Sequence, residues 1–246
     1  MIPLHSLRNA VGLCLSVLVL AGCAAAPART ASAIDPWEPM NRGLYQVHET
    51  VDKVILKPAV NVYTTVTPQL VRRGVSNFFN NIEDAFSAVN GVLQGKPQKA
   101  GDDLGRVLTN TMFGLGGLID VASGAGIERG NEDFGQTLAV WGVAQGPYLF
   151  IPVLGPSTVR DASGSAVRLY FGPTGEIHDV AARNVVYGLG VVDARYQAGD
   201  ALDVVNAAAL DRYTFIRNAY LQRRRYLIYD GKVPAEADDD KDKEKP

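Results

Sequence analysis

Apolar residues recur every three or four positions from 68 to 93. Val71, Val75, Phe78, Ile82, Phe86, Val89 and Leu93 share one stripe, with Asn77, Asn80, Asn81, Asp84 and Ser87 on the other side. That spacing predicts an amphipathic helix, ended by Gln94-Gly95 with Pro97 beyond as a stop signal. A second helix is predicted over 102–113, with Leu104, Val107, Leu108, Thr111 and Met112 inward, before Gly114-Leu115-Gly116-Gly117 breaks it. Two later helices are predicted over about 179–197 and 207–229. The last carries Leu210, Tyr213, Ile216, Tyr220 and Leu227, with Arg223, Arg224 and Arg225 near its end, where cations suit the helix dipole. No run sustains period-two alternation, and no hairpin signal is flanked by β-branched residues. The expected fold class is all-α.

One stretch breaks the helical pattern. The 26 residues between Asp133 and Arg160 carry no charge. By length they suffice to cross a bilayer, but two Gly-Pro pairs and Pro152 cannot sit in one unbroken helix. A short helix near 136–142 is expected, followed by an apolar hairpin over 146–156. Tyr148, Leu149, Phe150, Ile151, Val153 and Leu154 are carried on it, and Gly146, Pro147, Gly155 and Pro156 sit at its ends as hinges. Loops usually run over wet surface and are polar. One this apolar is buried in protein, dipped into a membrane, or lining a greasy passage.

The N-terminus supplies a compartment. His5 and Arg8 precede an apolar run from Ala10 to Leu20 that is too short to span a bilayer, and Leu20-Ala21-Gly22 leads into Cys23. This is the layout of a bacterial lipoprotein signal, cut before Cys23, whose thiol and amine are then acylated. Several chains on one residue make a durable tether where one alone holds weakly. Ala24, rather than Asp, after the cysteine fits export to the outer membrane. The expected divisions are a signal peptide (1–22), a lipidated tether (23–34), one body (35–233) and a disordered charged tail (234–246).

Cys14 leaves with the signal and Cys23 is acylated, so the mature body has no thiol for a disulfide, a zinc site or a nucleophile. Of 24 basic and 26 acidic residues, removing Arg8 and the tail leaves 20 of each in 23–233. That balance gives no electrostatic reason to bind nucleic acid. Only His48 and His178 remain beyond the signal, and no serine sits in G-x-S-x-G. The run Gly91–Lys96 (GVLQGK) is one residue short of a phosphate loop and has Pro97 where Ser or Thr is needed. No catalytic residue, metal ligand set or cofactor is assigned. Asp193, Asp200 and Asp203 read as a solvated helix face. Arg72-Arg73 and Arg223 to Arg225 read as solvated helix ends that are also suited to phosphate head groups.

Several blocks follow one another across 35–164: Asp35-Pro36-Trp37-Glu38-Pro39-Met40-Asn41-Arg42, Leu56-Lys57-Pro58, Ser76-Asn77-Phe78-Phe79, Leu93-Gln94-Gly95-Lys96 and Arg106 with Asn110-Thr111. Gly114 to Asp120, Asp133-Phe134-Gly135-Gln136-Thr137, Gly142 with Gly146-Pro147-Tyr148, and Leu154-Gly155-Pro156-Ser157 with Arg160-Asp161 complete the series. The series resembles the MlaA (VacJ) family. The resemblance implies an outer-membrane lipoprotein, not an enzyme, that removes phospholipid from the outer leaflet and passes it inward, keeping the leaflets different. It implies a single ring-like helical domain lying in the inner leaflet, with a central amphipathic channel beside a flexible hairpin. A trimeric porin and the soluble periplasmic lipid carrier MlaC are its implied partners. After Asn41-Arg42 many members carry aromatic-Phe-Asn, where this chain has Tyr45-Gln46-Val47-His48. Tyr45, Val47 and His48 are therefore a candidate gating segment. A porin accessory that moves no lipid, and a membrane-tethered lipid hydrolase, are the alternative readings.

Overall fold

The computed structural model describes residues 34–172, 177–199, 201, 205 and 209–234, all within the unit Ala33–Pro246. Cys23, the signal peptide, nearly all of the tether and the tail from 235 onward lie outside the described residues. So do Asp200 and Asp203.

Helix α1 (Glu38–Val51) passes through a π-helical turn (Asp52–Leu56) into α2 (Lys57–Val66). Next come α3 (Gln69–Leu93), α4 (Pro97–Phe113), the short α5 (Val121–Gly124) and α6 (Phe134–Val140). A two-stranded hairpin, β1 (Tyr148–Ile151) and β2 (Gly155–Thr158), precedes α7 (Val159–Phe171), α8 (Val180–Gln197) and α9 (Arg212–Ile228). Local chemistry sets these boundaries. Asp120, Asp133, Thr158, Asp179 and Asp211 each accept the backbone N–H three residues on, which caps α5 to α9. Gly95 ends α3 at φ +70°, and Pro97 opens α4, where its missing N–H costs nothing. At the α6–α7 contact a Cβ on Gly164 would stand 2.5 Å from the Gly135 nitrogen, so only glycine allows this approach.

The α3 prediction holds to within a residue and α8 starts one residue later than predicted, whereas α9 starts only at Arg212, which leaves Leu210 before the helix and fully exposed. The sequence pattern assigned nothing to α1, α2 or α7. The fold is predominantly helical, and the strands are an addition. Each has four residues, too few for period two to register, although Tyr148 and Phe150 do alternate in burial with Leu149 and Ile151.

Which helix faces point inward is the main correction. Of the α4 residues expected inside, Leu104, Leu108 and Met112 are more than half exposed, Thr111 is exposed and Val107 is half-buried, while Asp103, Arg106 and Asn110 are buried. Helix α3 is turned the same way, with Asn81, Asp84, Ser87 and Asn90 inside and Val71, Phe78, Val89 and Leu93 exposed. Among the described residues, seven apolar side chains are buried against twenty polar or charged ones. The periodicity was real, but its direction was inverted. No described helix is long and apolar enough to cross a membrane.

Candidate functional site

A polar interior is stable only if its groups are paired. Here three networks do this. In the first, Arg106 of α4 (2% exposed) donates from Nε to Asp84 of α3 at 2.9 Å, from Nη1 to the Ile127 carbonyl at 2.6 Å and from Nη2 to Asp120 at 3.1 Å. Arg129 pairs with the other Asp84 oxygen at 2.6 Å. Burial pushes Asp120 up, but hydrogen bonds from Ser123 and the Arg106 guanidinium outweigh it and hold that carboxyl at about 2.

The second network fixes the hairpin. Asn41 Nδ2 donates to Asp35 at 2.8 Å and to the Tyr148 carbonyl at 3.0 Å, and its Oδ1 accepts the Phe150 N–H at 3.0 Å. One amide thus pairs the free edge of β1. Asp35, fully buried, also accepts from the Tyr213 hydroxyl at 2.5 Å and from Arg217 at 2.9 Å. Arg42 stacks 4.5 Å from the Tyr213 ring and pairs with Glu38 and Asp211. The Asp35–Arg42 block is therefore the clamp joining α1, β1 and α9.

The third network floors a groove of about 540 Å³ between α3, α6, β2, α7 and α9. Phe86, Val89, Leu93, Phe134, Val167 and Phe171 give it apolar walls, and Asn90, Ser157, Asp161 and Arg224 give it polar ground. Arg224 binds Asp133 through both terminal nitrogens and Asp161 at 2.9 Å, and Tyr220 donates to Asp161 at 2.7 Å. Burial pushes Asp133 up, yet Arg224 outweighs it and holds the carboxyl below its ordinary range. The Arg224 Nε is buried without a hydrogen-bond partner, and Arg168 pairs with Glu83 beside the groove. Arg224 is thus no solvated helix end. Asp193 is likewise no solvated residue: it is 1% exposed and accepts from Ser76 at 2.6 Å and Gln197 at 2.7 Å. Arg72 donates to the Thr64 carbonyl at 2.9 Å and faces the Tyr196 ring.

The predicted hairpin residues separate by position. Tyr148 and Phe150 are core side chains packed with Tyr213. Leu149 and Ile151 are half-buried, whereas Val153 and Leu154 at the tip are 41% and 60% exposed. Gly146 and Gly155 take φ of +68° and +94°, and Pro156 and Ser157 of β2 form part of the groove wall. Tyr45 meets the Phe150 ring edge-on at 5.3 Å and His48 meets it at 5.4 Å, while Val47 is exposed. Burial pushes the Tyr45 hydroxyl up to about 12. Of the asparagine face of α3, Asn90 reaches the groove, while Asn77 and Asn81 bond to Leu118 and Thr111. Sequence reasoning singled out neither Asp35, Asn41, Asp133, Asp161 nor Arg224 as a site residue. All but Arg224 lie in the quoted blocks, but their partners are far along the chain.

The outer surface is the remaining part of the site. Leu70, Val71, Val89 and Val92 of α3, and Leu104, Leu108, Met112 and Phe113 of α4, are exposed. Leu115, Leu118 and Ile119 continue this surface through the following loop. Each such side chain left in water forgoes about 1.5–3 kcal/mol. So broad an apolar exterior calls for an apolar medium or partner.

Comparison with known proteins places this architecture. The family model described as MlaA lipoprotein matches residues 33–227. The chain is 31% identical over 225 residues to the intermembrane phospholipid transport system lipoprotein MlaA of Haemophilus influenzae, covering 89% of this chain and 90% of that one. Against the protein of the same name from Escherichia coli K12 it is 31% identical over 225 residues, covering 90% and 89%. A solved chain from work on the structural basis for maintenance of bacterial outer membrane lipid asymmetry superposes with a TM-score of 0.68 at 31% identity. That superposition covers 79% of this chain and 98% of that one.

Proposed function

Because this chain belongs to the MlaA lipoprotein family, we propose that it draws phospholipid from the outer leaflet through the groove over Arg224 and passes it inward. It is an outer-membrane lipoprotein acting in the maintenance of lipid asymmetry, a transport component rather than an enzyme. In this reading Cys23 carries the acyl anchor and the apolar outer faces of α3 and α4 lie against lipid tails. The groove walls accept acyl chains, and the ground around Asn90, Ser157 and Arg224 holds the head group. The hairpin tip, Val153 and Leu154, flanks the passage, with Gly146-Pro147 and Gly155-Pro156 as its hinges. A trimeric porin is the neighbour in the membrane, and the soluble carrier MlaC is the recipient.

The observation that carries this reading is the inverted burial: charged pairs inside, aliphatic stripes outside, and an amphipathic groove between them. Filling the groove tests it. Val167→Trp narrows the passage and leaves the paired network intact. The expected outcome is unchanged helix content and membrane attachment, with surface-exposed phospholipid rising toward the level of a deletion strain. Normal clearance of outer-leaflet phospholipid by this variant would remove the groove from the pathway.

A further inference from the structure

We propose that His48 is a proton-released latch: its neutral ring holds the hairpin tip through Val153, and protonation lets the tip go. His48 Nδ1 accepts the Val153 N–H at 3.1 Å, and the same ring packs against Phe150. Val153 is held at φ +70°, a conformation unfavourable for a β-branched residue, so its surroundings must maintain it. The base of the hairpin is fixed separately, by Asn41 and by the Tyr148 N–H bond to the Ile34 carbonyl at 2.9 Å. The tip can therefore move without unravelling the base.

A neutral imidazole offers one acceptor and an imidazolium none. Once protonated, Nδ1–H would face the Val153 N–H, donor to donor. The charged groups around His48 are Glu49 on α1, Asp52 in the π-helical turn and Arg195 from α8, and the hairpin itself carries none. Asp52 is committed to Arg195 at 2.5 Å, and Glu49 pairs with Arg212 at 3.4 Å. Burial, the largest influence, therefore prevails over these carboxylates and lowers the His48 pKa from its ordinary value. The sign follows: the latch is closed at neutral pH and opens as pH falls below the ordinary histidine range. Because Pro156 and Ser157 line the groove, movement of the tip reaches the groove wall. Only that last consequence rests on the groove being the lipid passage.

The test uses the full lipidated chain in phospholipid vesicles. Hydrogen exchange over 148–158 is expressed as protection factors at about pH 7.5 and about pH 5. The expected result is an about tenfold loss of protection at the tip on acidification, the size of one lost hydrogen bond. His48→Asn keeps an acceptor that does not titrate and should stay protected at both values. His48→Phe lacks the acceptor and should be unprotected at both, with unchanged circular dichroism. Equal protection of the wild type at both values, or the same acid loss in His48→Asn, would overturn the latch. If protection follows the latch but outer-leaflet clearance is the same in all three proteins, the latch stands and its link to the groove fails, whereas failure of the groove reading itself shows in Val167→Trp.

Discussion

At the scale of single residues, the chain relies on arginines set among acids inside the body. Arg224 is the most exacting case, because it pairs with both Asp133 and Asp161, and Asp161, only 6% exposed, would keep Arg160 alone as a cation partner. Arg224→Ala should therefore cost about 3 kcal/mol, the low end for breaking a buried ion pair, because Arg160 and the Tyr220 hydroxyl stay on Asp161. Thermal unfolding in detergent, followed by circular dichroism, measures it. Asp133 adds a pH signature. Its carboxyl is held below the ordinary range, so its share of stability is present above about pH 4 and fades as pH falls through the folded value. That acid-side loss should be smaller in Arg224→Ala than in the wild type. These pairings were not legible in the sequence. Arg224 lies 91 positions from Asp133 and 63 from Asp161, and three consecutive arginines at a helix end look solvated when read locally.

At the scale of elements, periodicity located α3 closely but could not say which face turns inward. Hydrophobic spacing records two chemically different faces. The inward choice assumes water outside, and α3 and α4 reverse that choice together. Helix α7 escaped because its glycine and two serines leave little apolar rhythm, although Gly164 is what allows contact with α6. The hairpin was legible as an apolar unit bounded by Gly-Pro pairs, but not in its division of labour. Phe150, 1% exposed against Tyr45 and His48, is core, whereas Leu154 is surface. Phe150→Asp should accordingly unfold or strongly destabilise the body, since it buries an unpaired charge. Leu154→Asp should leave helix content and membrane attachment intact while slowing lipid clearance. Circular dichroism and an outer-leaflet phospholipid assay on both variants check the pair, and equal folding of the two would contradict the assignment.

At the scale of the whole molecule, polar networks hold the helices together and aliphatic stripes cover them, the reverse of a protein surrounded by water. The groove, the hairpin and the clamp from Asp35 to Arg42 lie within this arrangement. Their function depends on whether the exterior meets lipid. Cys14 and Cys23 are the only cysteines, so single cysteines can be introduced into the body without competition from other thiols there. The most direct measurement is collisional accessibility of spin labels at Leu104, Leu108 and Met112 on α4, in the lipidated protein reconstituted into bilayers. The account predicts high accessibility to oxygen and low accessibility to a water-soluble nickel chelate at all three positions. High accessibility to the nickel chelate there would place the stripe in water and contradict the membrane-embedded body.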